Sequence, residues 1–348
     1  MKNYIIVIIA VFLYSCKSDK QANGLNVEEV KEVVFDDSKY VVDTAFKIGD
    51  ARRYGVTAET AGLAHPRSGK NRMTTALDLA EQSGLEISFP SGYYNMNLTL
   101  DSRKNINLRF DKSEFNLIHI TQVKITDSIP ENINIKGTLI AYDRLGMTEA
   151  RNIKIDTVIL KSDIKKNLQK TRNRGCHIYH GCDNITINYL EVQDLGSGDE
   201  KHIYTHAAIA IDGWNNNPTN ITINKAYIKS SDRHGVYITG SDNYIKELII
   251  DKFGVGTSEF MDGMQDSDSS KDEHKEFTGL WINKCYDCAF DKVTINEKDS
   301  KGKHTAFFDA GDKTKPTLID NMVILNDSKL IDVKRDPDTA VEATISVK

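Results

Sequence analysis

The chain has 348 residues, 39% of them hydrophobic, and a formal net charge of -5. That apolar supply is ample for a large core, and the acidic balance excludes a generally basic nucleic-acid-binding surface. Length alone would allow two domains, but repeat folds do not follow that rule.

Met1–Ser15 reads as a targeting segment. Lys2 gives the positive start, and Ile5–Leu13 is an apolar run too short to span a membrane as a mature helix. Leu13-Tyr14-Ser15-Cys16 resembles the lipobox of bacterial lipoproteins. The resemblance implies cleavage before Cys16, lipid modification of that cysteine, and a chain anchored in the cell envelope of a Gram-negative bacterium. Tyr14 departs from the small residue usual there. Residues 16–47 follow as tether and N-terminal segment. Lys17–Gly24 is small and polar, as a flexible tether should be, and Val27–Lys47 is too mixed to assign.

Residues 48–100 are more regular. Asn71 caps a predicted helix with Met73, Ala76, Leu77 and Ala80 on one face and Gly84 as its stop. Leu85–Phe89 reads as a strand, Pro90–Gly92 as a turn and Asn97–Leu100 as the next strand. The order Tyr54-Gly55-Val56-Thr57, then the helix, then Ile87-Ser88-Phe89-Pro90-Ser91-Gly92-Tyr93-Tyr94 resembles the opening module of the pectate-lyase-like right-handed β-helix superfamily. The resemblance implies an all-β solenoid whose open end is plugged by the helix, since a bare first coil would expose core and strand edges. That superfamily includes lyases, hydrolases, epimerases and non-catalytic spikes, so it implies architecture more than activity. Ala61–Lys70 is extra relative to its pattern.

Over residues 101–348 the coils of a right-handed parallel β-helix are legible. Asn105–Phe110, Asn132–Ile140 and Asn152–Leu160 each start with asparagine and then alternate. Stacked asparagines at a recurring turn are a structural device. Five segments then align: Arg174–Asn184, His206–Asn216, Arg233–Asn243, Phe277–Asp287 and Lys303–Asp312. Each is a short strand closed by a turn rich in Gly, Asn or Asp, and most precede a second apolar strand, the pattern of a stacked repeat. The longer returns Gln193–Thr205, Lys252–Glu276 and Glu297–Gly302 mark the side where binding is expected.

The alignment predicts columns, because side chains alternate in and out along each strand. Ile178, Ala210, Tyr237, Trp281 and Phe307 are expected outward, followed by His180, Asp212, Thr239, Asn283 and Asp309. Arg174, His206, Arg233, Phe277 and Lys303 are expected at the rim. Aromatic faces, hydroxyl-binding side chains and basic groups in adjacent lines suit an anionic polysaccharide. β-Elimination is preferred, with Arg233 or Lys303 neutralising a carboxylate, His234, Tyr237 or His206 as base, and Asp212 beside Tyr237. Trp281, Phe307, Asn283, Asp309, His180, His206, Arg174 and Lys303 would hold substrate. A glycoside hydrolase on the same face and a non-catalytic glycan-binding or surface protein are the alternatives. The double Asp of polygalacturonase-type hydrolases is missing ahead of His234-Gly235.

Asp266-Ser-Asp268-Ser-Ser270-Lys-Asp272 has alternate oxygens like a calcium loop but lacks its Gly and Glu, so Ca2+ is a weak candidate there. His177 and His180 should face opposite ways, which disfavours zinc. Cys285 and Cys288 form either a small disulfide or two buried thiols, and Cys176 and Cys182 are not expected to pair.

Overall fold

The computed structural model describes residues 35–196, 207–213, 215–256, 277–300, 304–310, 312–326, 333–335 and 342–348. The targeting segment with Cys16, the calcium-like loop with Asp266 and Asp268, His206 and Lys303 lie outside them. The solenoid belongs to the compact unit Asp37–Lys348.

Two stacks of parallel strands alternate along the chain and make a right-handed parallel β-helix. The longer strands include Arg151–Leu160, Asp183–Val192, Thr219–Ile228, Tyr244–Ile250 and Ala289–Asn296. Their inward residues keep one spacing: Ile185, Ile187, then Leu190 and Val192, with an extra residue between the pairs. That break in the two-residue period recurs at Ile221, Ile223, Ala226 and Ile228, and it turns the inward face without interrupting pairing. Register then stacks like on like, as in Ile155, Ile187, Ile223, Ile245 and Phe290, all essentially inaccessible. Each such side chain contributes roughly 1.5–3 kcal/mol by leaving water.

One rim of this stack is an asparagine ladder. Asn105, Asn132, Asn152, Asn184 and Asn220 all sit at φ near 55°, a left-handed conformation that asparagine tolerates better than most residues. The Nδ2 of Asn132, Asn152 and Asn184 each donates to the Oδ1 of the asparagine before it, at 2.9, 3.1 and 2.8 Å. The expected structural role of these residues is what the geometry provides.

Helix α1 (Arg72–Ser83) starts where the sequence places it. The Asn71 side chain accepts from the Thr74 N–H, Gly84 closes the helix at φ 69°, and Met73, Ala76, Leu77 and Ala80 are buried. The unassigned stretch before it is held down from Asp37 onward: Arg53 pairs with Asp37 at 2.6 Å, and the Tyr54 hydroxyl also donates to Asp37.

Candidate functional site

The second stack carries the outer face of interest. Its strands include Ile118–Thr121, Arg144–Thr148, Gly175–Ile178, Ala207–Ile211, His234–Ser241, Phe277–Tyr286 and His304–Ala310. Pairing sets one outward column as His119, Gly146, His177, Ala210, Tyr237, Trp281 and Phe308. The expected register holds at Ala210, Tyr237 and Trp281 and is one residue out on both sides of them. Ile178 and Phe307 are fully buried in inner columns, and His177 and Phe308 take the outward places. His180 lies past the strand end, exposed in the turn. Asp309 is 1% exposed and in register with the inner residue Ile282. The slip comes from matching segments by their closing turns. Cys176 pairs with Ile209 but lies one residue further from its glycine, Gly181, than Ile209 does from Gly213. One residue suffices to reverse a strand's faces.

Around Tyr237 the geometry is specific. Asn283 Nδ2 donates to the Tyr237 hydroxyl at 2.8 Å. The Trp281 ring meets Tyr237 edge-on at 4.9 Å between centroids, and Phe308 and His234 meet Trp281 at 5.6 and 5.3 Å. The Trp281 indole nitrogen is buried and makes no hydrogen bond among the described residues. Ala210 interrupts the column between His177 and Tyr237. With coils about 4.8 Å apart, the two rings flank a notch whose backbone span is roughly 10 Å, and it is a covered one, with Ala210 6% and His177 4% exposed. Asp212, half-buried, follows on the Ala210 strand. Burial raises the Tyr237 phenol above its ordinary value of 10.0; the Asn283 hydrogen bond lowers it and the Asp212 charge raises it further.

Two further candidate site residues are buried as well. Arg233 is fully buried, and desolvation lowers its pKa to about 10. It is therefore a core arginine rather than a rim residue. His234 is 8% exposed, and its Nδ1 accepts the Thr278 backbone N–H at 2.8 Å, so in the neutral ring the proton sits on Nε2. The ring's place is behind Trp281 and Phe277, with centroids 5.3 and 5.6 Å away.

The sequence alignment skipped Arg144–Thr148, and with it part of the face. Arg174, expected at the rim, donates two hydrogen bonds to the wholly buried Asp143, one of them 2.5 Å from Nε to Oδ1. Arg144 lies beside that pair; its Nε is buried and makes no hydrogen bond among the described residues. His177 Nδ1 and the Tyr179 hydroxyl share a hydrogen bond of 3.0 Å. Burial raises the Tyr179 phenol, Arg144 and Arg174 lower it, and Asp212 raises it. The signal that would have found these residues is Asp143-Arg144-Leu-Gly-Met147, a short coil strand without the glycine-rich closing turn of its neighbours.

An open cleft of about 470 Å³ lies elsewhere, lined by Asp50, Arg52, Ser88, Arg109 and Asp111. Its arginines are already matched, Arg52 to Asp50 at 2.6 Å and Arg109 to Glu86 at 2.8 Å, so it offers less chemistry than the aromatic face. Among the described residues no three His, Cys, Asp or Glu side chains gather to hold a metal ion. Cys285 and Cys288 form a disulfide, and Cys176 and Cys182 remain buried thiols.

No protein-family model, curated protein or solved structure matches the chain.

Proposed function

We propose that the protein is a polysaccharide-degrading enzyme that cleaves an anionic, uronate-containing glycan by β-elimination. On this reading it is a divergent member of the pectate-lyase-like superfamily, held in the cell envelope through a lipid on Cys16. The observation that carries the reading is the Tyr237 hydroxyl, held by Asn283 beside the Ala210 notch, with Trp281 and Phe308 continuing the column. Sugar rings stack on aromatic faces, and the half-buried Asp212 and Asn283 offer partners for hydroxyls.

In the reaction, the Tyr237 phenolate takes the proton on the carbon next to the uronate carboxylate. The C–O bond to the leaving sugar breaks, a C=C bond forms, and the leaving oxygen takes a proton from the phenol so produced. Hydrolysis needs two carboxyl groups about 5–5.5 or 6.5–9.5 Å apart. Among the described residues of the outward column traced above there is no carboxylate, and Asp212 follows it alone on the Ala210 strand, so the hydrolase reading has less support. The Cys285–Cys288 disulfide suits an oxidising compartment, in keeping with an envelope anchor.

The test is a panel of acidic and neutral polysaccharides followed both by ultraviolet absorbance of unsaturated products and by new reducing ends. Elimination gives both signals on a uronate polymer. Reducing ends without absorbance would replace it by hydrolysis, and binding without either would make the protein a glycan-binding module. Trp281→Ala should weaken binding by ~1–2 kcal/mol, the scale of an aromatic contact.

A further inference from the structure

On the N-terminal side of the notch one guanidinium makes no ion pair among the described residues. Arg144 and Arg174 stand on neighbouring coils, and the one carboxylate packed between them, Asp143, is taken at both oxygens by Arg174. Arg144 makes no ion pair among the described residues, and its Nε is buried without a hydrogen bond. The Nε of this half-buried guanidinium has lost water without gaining a partner, which costs free energy, and the rest of the group is left for a ligand to pair.

The surroundings shape what that ligand is. Gly146 forms the floor: a methyl group there would lie 3.3 Å from His119 Cδ2 and 3.7 Å from Arg144 Nε, so both side chains lie low over the glycine. His119 is itself oriented, with Nδ1 3.2 Å from Asp101 Oδ2, while Thr121 holds the other oxygen of Asp101 at 2.9 Å. Asp101 is thus engaged by His119 and Thr121. Arg144 is thus the guanidinium of the cluster that makes no ion pair among the described residues, and its planar donors have the geometry that pairs with a carboxylate or a sulfate. Gly146 and Ala210 share an outward column two coils apart, about 10 Å along the stack.

We infer that Arg144, over the Gly146 floor and beside His119, is an anion subsite that takes the acidic group of a sugar two coils from the ring at Ala210. The inference rests on the glycan reading and specifies its substrate: a polymer bearing an acid on the N-terminal side of the bond cleaved. Arg144 then determines specificity, and the aromatic side of the notch accepts sugars without regard to charge.

The experiment measures binding of the full chain, by calorimetry at low salt, to three hexasaccharides: an oligouronate, the same oligomer with its carboxyls reduced to alcohols, and a sulfated neutral oligomer. Wild type should bind the oligouronate at least about tenfold more tightly than its reduced form, and Arg144→Gln should erase that preference, the scale of one charged hydrogen-bonded contact. Arg144→Lys should restore part of it, and circular dichroism should find both variants folded. Preference for the sulfated oligomer, lost in Arg144→Gln, would support the subsite with sulfate as its anion. If the oligosaccharides bind and Arg144→Gln changes nothing, the anion subsite is overturned and the glycan reading stands. If none of the three binds, the glycan reading falls and takes the subsite with it.

Discussion

The asparagine rim and the aromatic face belong to the same coils and both carry polar atoms, yet they differ in what those atoms have left over. Along the rim, Asn152 donates to Asn132 and accepts from Asn184, so the amide serves its neighbours on both sides. On the face, Arg144 Nε and Trp281 Nε1 are buried with no such bond among the described residues. Repetition of polar side chains is therefore a weak sign of function by itself. Polar atoms that stacking leaves unsatisfied are a stronger one, because each is a standing cost that a ligand relieves.

The sharpest way to break that contrast is at Tyr237. Tyr237→Phe keeps the ring against Trp281 and removes only the hydroxyl that Asn283 holds. Turnover should fall by roughly 10²–10⁴-fold, the usual weight of an acid–base group, with binding and thermal stability retained. Unchanged turnover would reduce Tyr237 to a stacking platform.

Next in size is the pair Phe307 and Phe308, adjacent in sequence and opposite in the fold. Phe307 is fully buried, so Phe307→Ala should cost ~3–5 kcal/mol of unfolding free energy by cavity formation. Phe308→Ala, on the outer column, should cost clearly less and act on binding instead. Denaturant unfolding of both variants decides, and a reversal of the two would put the strand register back where the turn-based alignment has it.

A smaller effect is expected on the rim. Asn152→Ala loses two amide contacts and places alanine at φ 55°, which together should destabilise by ~1–2 kcal/mol without touching activity. Asn152→Gly, free of the backbone penalty, should cost less. Loss of activity in either variant would blur the division between rim and face.

What was legible from sequence follows the same physics. Asn71, the helix face and Gly84 predicted α1 correctly because capping and periodicity are local signals. The solenoid was legible because its Ile-x-Ile coils repeat. Column assignment was harder: it requires counting residues across turns, and the extra residue before Gly181 and another offset at the last aligned coil each inverted a strand. Arg144 was missed since its coil lacks the turn signature used to find the others. Arg233 was misplaced because a charged residue before a strand reads as a rim from sequence, and only packing reveals it as buried.

The smallest expected effect is also the most diagnostic of chemistry on the face. Burial raises the Tyr237 phenol above 10.0, and the Asn283 hydrogen bond is what opposes the rise. If the phenolate is the base, kcat/KM should climb as pH passes from neutral into the alkaline range. Asn283→Ala removes the opposing bond, so the climb should move to higher pH, and activity at a fixed neutral pH should drop modestly, by less than about tenfold for one neutral hydrogen bond. The sign for stability runs the other way. A raised phenol pKa means the fold favours the protonated ring, so that contribution is intact below pH 10.0 and is lost as pH rises through the folded value. Alkaline activation and alkaline loss of stability should thus overlap in wild type, and Tyr237→Phe should abolish the first while relieving Tyr237's share of the second. A flat pH–rate profile that Asn283→Ala leaves unmoved would separate Tyr237 from the proton transfer altogether.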